Sequence, residues 1–266
     1  MDTYAFDGKK YRAASKHQKK WGCDLLSGIS LKGDEHVLDL GCGDGILTEQ
    51  LARAVPRGKV LGIDASASMI ETAKMLEREN LSFAHMDINE MDLENALDLI
   101  FSNAALHWVK DHRRLLKNAH RALKPHGKIL WEFGGAGNCP TFLDVMKKKI
   151  REDRYAGYFK DLEWPWYMPS KQQYTALIEA VGAFDYKITE VARDTHFADA
   201  QELIRWIDQP SILPFIRYVP PNLRKTFRRE VIHAMIQRTQ QPNGAYFESF
   251  RRIQVSAQKR QEDIAP

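Results

Sequence analysis

Three carboxylates and three glycines in the first third of the chain are the residues best placed to do chemistry. The run Val37-Leu-Asp-Leu-Gly-Cys-Gly-Asp-Gly45 ends an apolar stretch in glycines at alternate positions, with an acid, Asp39, inside the stretch. Glycine adopts positive φ and lets backbone N–H groups come within contact distance of a bound molecule. Twenty-five positions beyond Asp39, after a second apolar run Val60-Leu-Gly-Ile63, stands Asp64, and a third acid, Asp87, follows in His85-Met-Asp-Ile88. A buried strand turning over a ligand, followed by a second strand tipped with a carboxylate, describes a nucleoside pocket. His107, in Leu106-His107-Trp108, is the histidine placed to face it, either as a base or as a packed, hydrogen-bonded structural residue.

The elements that position these groups alternate along the chain. Strand-like apolar runs at Val37 to Leu40, Val60 to Ile63, Phe83 to His85, Leu97 to Phe101 and Lys128 to Phe133 are separated by amphipathic segments at Ile46 to Ala54, Ser68 to Glu79 and Asp111 to Leu123. That order predicts a parallel sheet with helices on both faces. Phe184 to Val191 and Phe250 to Ala257 alternate with period two, as strands nearer an edge do. Residues 192–249 between them are helical in pattern, broken by Pro210, Pro214 and Pro220-Pro221, and too long for a loop. The expected division is a core of residues 1–191 with 250–266 and a helical cap of 192–249.

Composition narrows the function classes. Lys plus Arg number 39 against 35 Asp plus Glu, a net charge of +4, and the basic clusters sit in acid-containing helical sequence, so nucleic acid is not an expected partner. Cys23, Cys42 and Cys139 are far apart and form no metal-ligand pair, so no metal is expected and a reduced cytoplasm is the natural setting. No apolar run reaches the roughly 18 residues of a membrane span, and the first residues lack the pattern of an export signal. A soluble monomer acting on a small molecule is the expectation.

Proteins that bind NAD, FAD and S-adenosylmethionine all use a glycine-rich strand-to-helix turn, and spacing discriminates among them. A dinucleotide site uses G-x-G-x-x-G with a pyrophosphate at the helix N-terminus. Here Gly41-x-Gly43-x-Gly45 lacks that third glycine, and Asp39 would repel a pyrophosphate while suiting a ligand with an ammonium and a sulfonium. The motif D-x-G-x-G-x-G, as Asp39 to Gly45, resembles that of the class I S-adenosylmethionine-dependent methyltransferases. The resemblance implies a Rossmann-like α/β fold, a seven-stranded mostly parallel sheet with an antiparallel last strand, plus a helical cap. It implies that Gly41 and Gly43 underlie the methionine part, that Asp64 with Ala65 receives the ribose, and that Met69, Asp87 and Ile88 surround the adenine. Asn103 would line the site at the end of the fourth strand. Tyr11 and Gln18, in a Y-x-x-x-S-x-x-Q opening, would fold over the methionine end.

Within that class the chain is similar to the trans-aconitate methyltransferase group, through Leu97 to Trp108, Leu203 to Ile207, Ile212 to Ile216, Pro242-Asn-Gly244 and Phe250 to Arg260. It departs at Leu213, where that group has an arginine before the cap proline, and leucine does not clamp a carboxylate. Trp108, Trp206 and Phe215 are candidates for the substrate wall. The expected chemistry is O-methylation of a carboxylate, with C-, N- or phenolic O-methylation as alternatives. An NAD(P)-dependent oxidoreductase and a silent cofactor-binding protein are rivals from other classes.

Overall fold

The computed structural model describes residues 15–260. Seven strands form one sheet: β1 His36–Leu40, β2 Lys59–Asp64, β3 Leu81–His85, β4 Leu97–Asn103, β5 Leu123–Gly134, β6 Phe184–Ala192 and β9 Arg251–Lys259. Their order is β3-β2-β1-β4-β5-β9-β6. The pairs β1–β2, β1–β4, β2–β3 and β4–β5 are parallel, and β9 runs antiparallel to both β5 and β6. This is the Rossmann-like arrangement, with the strand order reversing between β1 and β4. In such a sheet ligands bind beyond the strand carboxyl ends at the reversal, where Gly41 to Gly45 follow β1.

Why these residues make a two-faced sheet is visible in β1. Leu38 and Leu40 join the apolar cluster on one face, with Ile100, Leu115, Leu116 and Ile129, while Val37 joins the opposite one, with Leu51, Val60, Leu99 and Phe101. Period-two alternation places Asp39 on the face of Val37, beneath the helix Ile46–Ala54, whose Thr48 hydroxyl donates to its carboxylate at 2.7 Å. The second amphipathic segment is shorter than its pattern predicts: the helix Ala67–Ala73 tightens into a 3₁₀ turn at Lys74–Leu76. The Pro125-His-Gly127 turn interrupts the β4–β5 ladder, where the register shifts between Leu97 and Leu99.

Residues 192–249 hold a short antiparallel strand pair, β7 Thr195–Phe197 with β8 Tyr246–Glu248, and between these strands the helices Ala200–Trp206, Leu213–Ile216 and Pro221–Thr239. They share one apolar cluster with the segment after β5, through Phe142, Met146, Tyr155, Phe159 and Trp166. The helix Pro140–Lys149 and the aromatic stretch that follows therefore pack with the cap. Among the described residues, no helix is long and apolar enough to cross a membrane.

Candidate active site

A cavity of about 430 Å³ opens at the carboxyl ends of β1, β2 and β4 and extends beneath the cap. A smaller pocket of about 40 Å³ lies beside it, between the glycine turn and the helix Lys16–Ser27. That size suits a nucleoside with a second small molecule.

The turn owes its shape to its glycines. Gly41 has φ +71°, and a Cβ there would stand 2.2 Å from that of Ala105, so only glycine allows the turn to lie against the end of β4. The N–H groups of Gly41 and Cys42 both donate to the Ile63 carbonyl, at 2.8 and 3.0 Å. Asp64 then ties the turn to the following helix: one carboxylate oxygen accepts from Gly43 N–H at 3.0 Å, the other from Ser66 N–H at 2.8 Å. Burial raises its pKa and these two bonds oppose the rise. Each oxygen keeps a further lone pair for a hydroxyl, and the carboxylate lines the cavity. Asp87 accepts from the backbone and side-chain N–H of Asn89 at 2.8 and 2.9 Å through one oxygen. Met69 and Ile88 supply apolar wall beside it, and Ala65 lines the same end.

Where the first helix closes over the turn, several polar atoms are buried without a protein partner. Asn103 donates to the Gln18 carbonyl at 2.9 Å, yet its own oxygen and the side-chain oxygen of Gln18 have none. Asp39 faces the small pocket, where burial, with Asp64 nearby, pushes its pKa up to about 7 against the opposing Thr48 bond. Three acceptors around one small space fit a ligand that brings N–H donors and positive charge, as the methionine ammonium of S-adenosylmethionine does. On this test the residues fit that cofactor.

The other end of the cavity is made of rings. Trp21, Trp108, Trp164, Trp166 and Trp206 line it, with Phe142 and Phe250. Trp108–Trp166 and Trp164–Trp166 meet edge to face, with centroids 5.5 and 6.0 Å apart. His107 lines this end too; burial, reinforced by the positive charge of Arg252, pushes its pKa down to about 3, and its Nδ1 has no partner. Arg252 is 3% exposed and lines the cavity. It donates from Nε to a Glu132 carboxylate oxygen and from Nη2 to the Glu132 carbonyl, each at 2.9 Å, with its guanidinium 4.9 Å from the Trp21 ring centre. Arg193 grips the same carboxylate at 3.2 and 2.9 Å and reaches Asp24 at 3.0 Å. At the rim Lys110 donates to the Trp164 carbonyl, near Glu163 and Arg217.

Of the residues singled out from sequence, Gln18, Gly41, Gly43, Asp64, Ala65, Met69, Asp87, Ile88, Asn103, His107, Trp108 and Trp206 come together around the cavity, and Asp39 sits in the adjoining pocket. Tyr11 lies outside the described residues. Phe215 is corrected: it is fully buried behind the wall, edge-on to Trp164 and Trp166 at 5.4 and 5.6 Å, and does not line the cavity. Its aromatic type suggests a wall residue, but two larger rings stand in front. Leu213 is also off the cavity, while Arg217, one turn later, reaches the wall. Arg252 escaped the motif search. Its signal was Glu132, a lone acid inside the apolar run Ile129 to Phe133, which demands a buried cation.

Comparison with known proteins agrees with this geometry. A family model described as a methyltransferase domain matches residues 38–131. The chain is 31% identical over 202 residues to a trans-aconitate 2-methyltransferase of Deinococcus radiodurans, covering 73% of this chain and 75% of that one. It is 27% identical over 265 residues to an uncharacterized methyltransferase of Schizosaccharomyces pombe, covering 96% and 98%. In fold it is similar to phosphoethanolamine N-methyltransferase 2 of Haemonchus contortus in complex with S-adenosyl-L-methionine. That likeness has a TM-score of 0.61 at 18% identity and spans 96% of this chain and 57% of the other.

Proposed function

Because the chain belongs to the class I S-adenosylmethionine-dependent methyltransferases, we propose that its acceptor is a small organic acid, methylated on a carboxylate oxygen. The observation that carries this reading is the state of His107. Methylating a phenol needs a base with a pKa near the working pH, and a neutral imidazole with a pKa of about 3 lies about seven units below a phenol. Cys139, also on this wall, is a thiol that burial keeps protonated. A carboxylate arrives ionised and requires neither.

Bound S-adenosylmethionine supplies an electrophilic methyl group, which the carboxylate lone pair takes in a new C–O bond while the C–S pair stays on sulfur and no proton moves. The chain's own residues have three tasks. Asp64, Asp87 and the glycine turn orient the nucleoside; Gln18, Asn103 and Asp39 receive the methionine end; and the ring-lined chamber holds the acid in line with water excluded. The trans-aconitate 2-methyltransferases among the relatives, enzymes named for an acid acceptor, support the same chemistry.

The test is transfer of labelled methyl to matched panels of carboxylic acids, phenols and amines. Label is expected only in acids, in a product that mild alkali hydrolyses. Label in phenols or amines alone overturns the reading.

A further inference from the structure

Resting on that carboxylate reading, we infer that the acceptor is a monocarboxylic acid with a flat aromatic or conjugated body, its carboxylate received at Arg252 and its body packed among the tryptophans. Five of the six tryptophans in the chain line this end of the cavity. Such rings give a flat apolar body a large contact area and offer a carboxylate no charge partner. The acidic end must go where cationic charge lies deep in the chamber, and Arg252 is buried there. Its charge reaches across this space, contributing to the lowered pKa of both His17 and His107.

Glu132 is the positioning residue. It is fully buried between two guanidiniums, and its bonds to Nε of Arg252 from the carboxylate and to Nη2 from the carbonyl fix the plane of that fork. Arg252 and Arg193 share that carboxylate, Arg193 draws further on the half-exposed Asp24, and of these four charges that of Arg252 alone lines the chamber. The same charge argues against an aromatic cage for a quaternary ammonium, the other common use of such a box. A polyacid fits poorly. Of the other cations on the wall, Arg217 is exposed and stacks on Tyr218 at 5.1 Å, and Lys110 donates to the Trp164 carbonyl at the rim. A second or third carboxylate would be buried against rings, which is costly.

The wall reports its own occupancy through tryptophan fluorescence. Protein saturated with S-adenosylhomocysteine is titrated with trans-cinnamate, cinnamamide and propane-1,2,3-tricarboxylate. Cinnamate is expected to quench saturably and to bind about 30-fold tighter than either of the others, the scale of a charge-assisted hydrogen bond. In Arg252→Met, which leaves Glu132 paired with Arg193, the preference for cinnamate over its amide should fall to within about threefold while S-adenosylhomocysteine affinity holds. The inference is overturned by absent quenching, by the tricarboxylate binding as tightly as cinnamate, or by a preference that survives Arg252→Met. The wild-type ratios decide the matter if that variant does not fold. Methyl transfer to the same acids separates the two levels: the tricarboxylate methylated in preference to cinnamate sinks this inference alone, whereas no acid methylated sinks the carboxylate reading.

Discussion

At the cofactor end the cavity wall is backbone N–H, carboxylate and amide, drawn almost entirely from residues 39 to 103, whereas at the acceptor end it is ring and guanidinium, drawn from segments as distant as Trp21, Trp166 and Arg252. The first end is held by short links within one βαβ unit, such as Asp64 to Gly43 and Ser66. The second is held by a buried charge cluster joining β5, β9 and the segment after β6. The contrast teaches where each function is stored. The cofactor end is built mainly from neighbouring strand ends, and the acceptor end from the assembled tertiary structure.

Substitutions should separate the two ends, beginning with the largest effect. Glu132→Ala leaves the buried guanidinium of Arg252 and the partly buried one of Arg193 without their shared carboxylate, and removing one side of a buried pair costs about 3–5 kcal/mol. Urea unfolding should show a loss of that size, and a wild-type midpoint would mean that the acceptor end is not held by charge. Asp64→Ala should do the converse. Calorimetry should show S-adenosylhomocysteine affinity falling about 100-fold, or about 2.7 kcal/mol, with a smaller loss in urea than that of Glu132→Ala; near wild-type affinity would remove Asp64 from the ribose contact.

The ends should also respond oppositely to pH. Asp39, raised from 3.8 to about 7, is half-protonated near neutrality in the free protein, and a cationic ligand favours its ionised form. S-Adenosylmethionine affinity should therefore rise about tenfold between pH 6 and pH 8, with proton release visible in buffers of different ionisation enthalpy. A flat profile would place the ammonium elsewhere. For stability the sign reverses: the contribution of Asp39 is complete below pH 3.8 and is lost as pH climbs through 7. His17 and His107, lowered from 6.5 to about 3, and His112, lowered to about 4, are uncharged in the fold. Their contribution is complete above pH 6.5 and lost as pH falls toward 4, so thermal midpoints of the ligand-free protein should drop across that window. The smallest effect is expected from Leu213→Arg, which does not touch the cavity wall. Stability and S-adenosylhomocysteine affinity should stay within about 0.5 kcal/mol of wild type, and a large gain in polyacid binding would contradict the wall described above.

The same contrast governs what could be read before the fold was known. The glycine turn, Asp64 and Asp87 announce themselves because local backbone chemistry demands those residue types at those spacings. The seven sheet strands follow from apolar periodicity, which is equally local. Arg252 was harder, since a surface arginine and a buried one look alike until Gly134 is seen paired with Arg252 across β5 and β9. Phe215 failed for a related reason: an aromatic residue type says that a ring is packed, and says nothing about which of several stacked rings stands in front.

The place of β9 in the sheet bears on how the molecule comes into being. It is the last described strand to leave the ribosome, yet it inserts between β5 and β6, and β6 has no other partner in the sheet. A nascent chain stopped before residue 250 therefore holds a complete glycine turn and all four parallel neighbours of β1 to β5 but no Arg252, and its β5 edge is bare. Unpaired edges are where growing chains aggregate. The residue that would receive the acceptor thus arrives on the same strand that closes the sheet, so a chain gains its acceptor anchor only in the step that also removes its most adhesive edge.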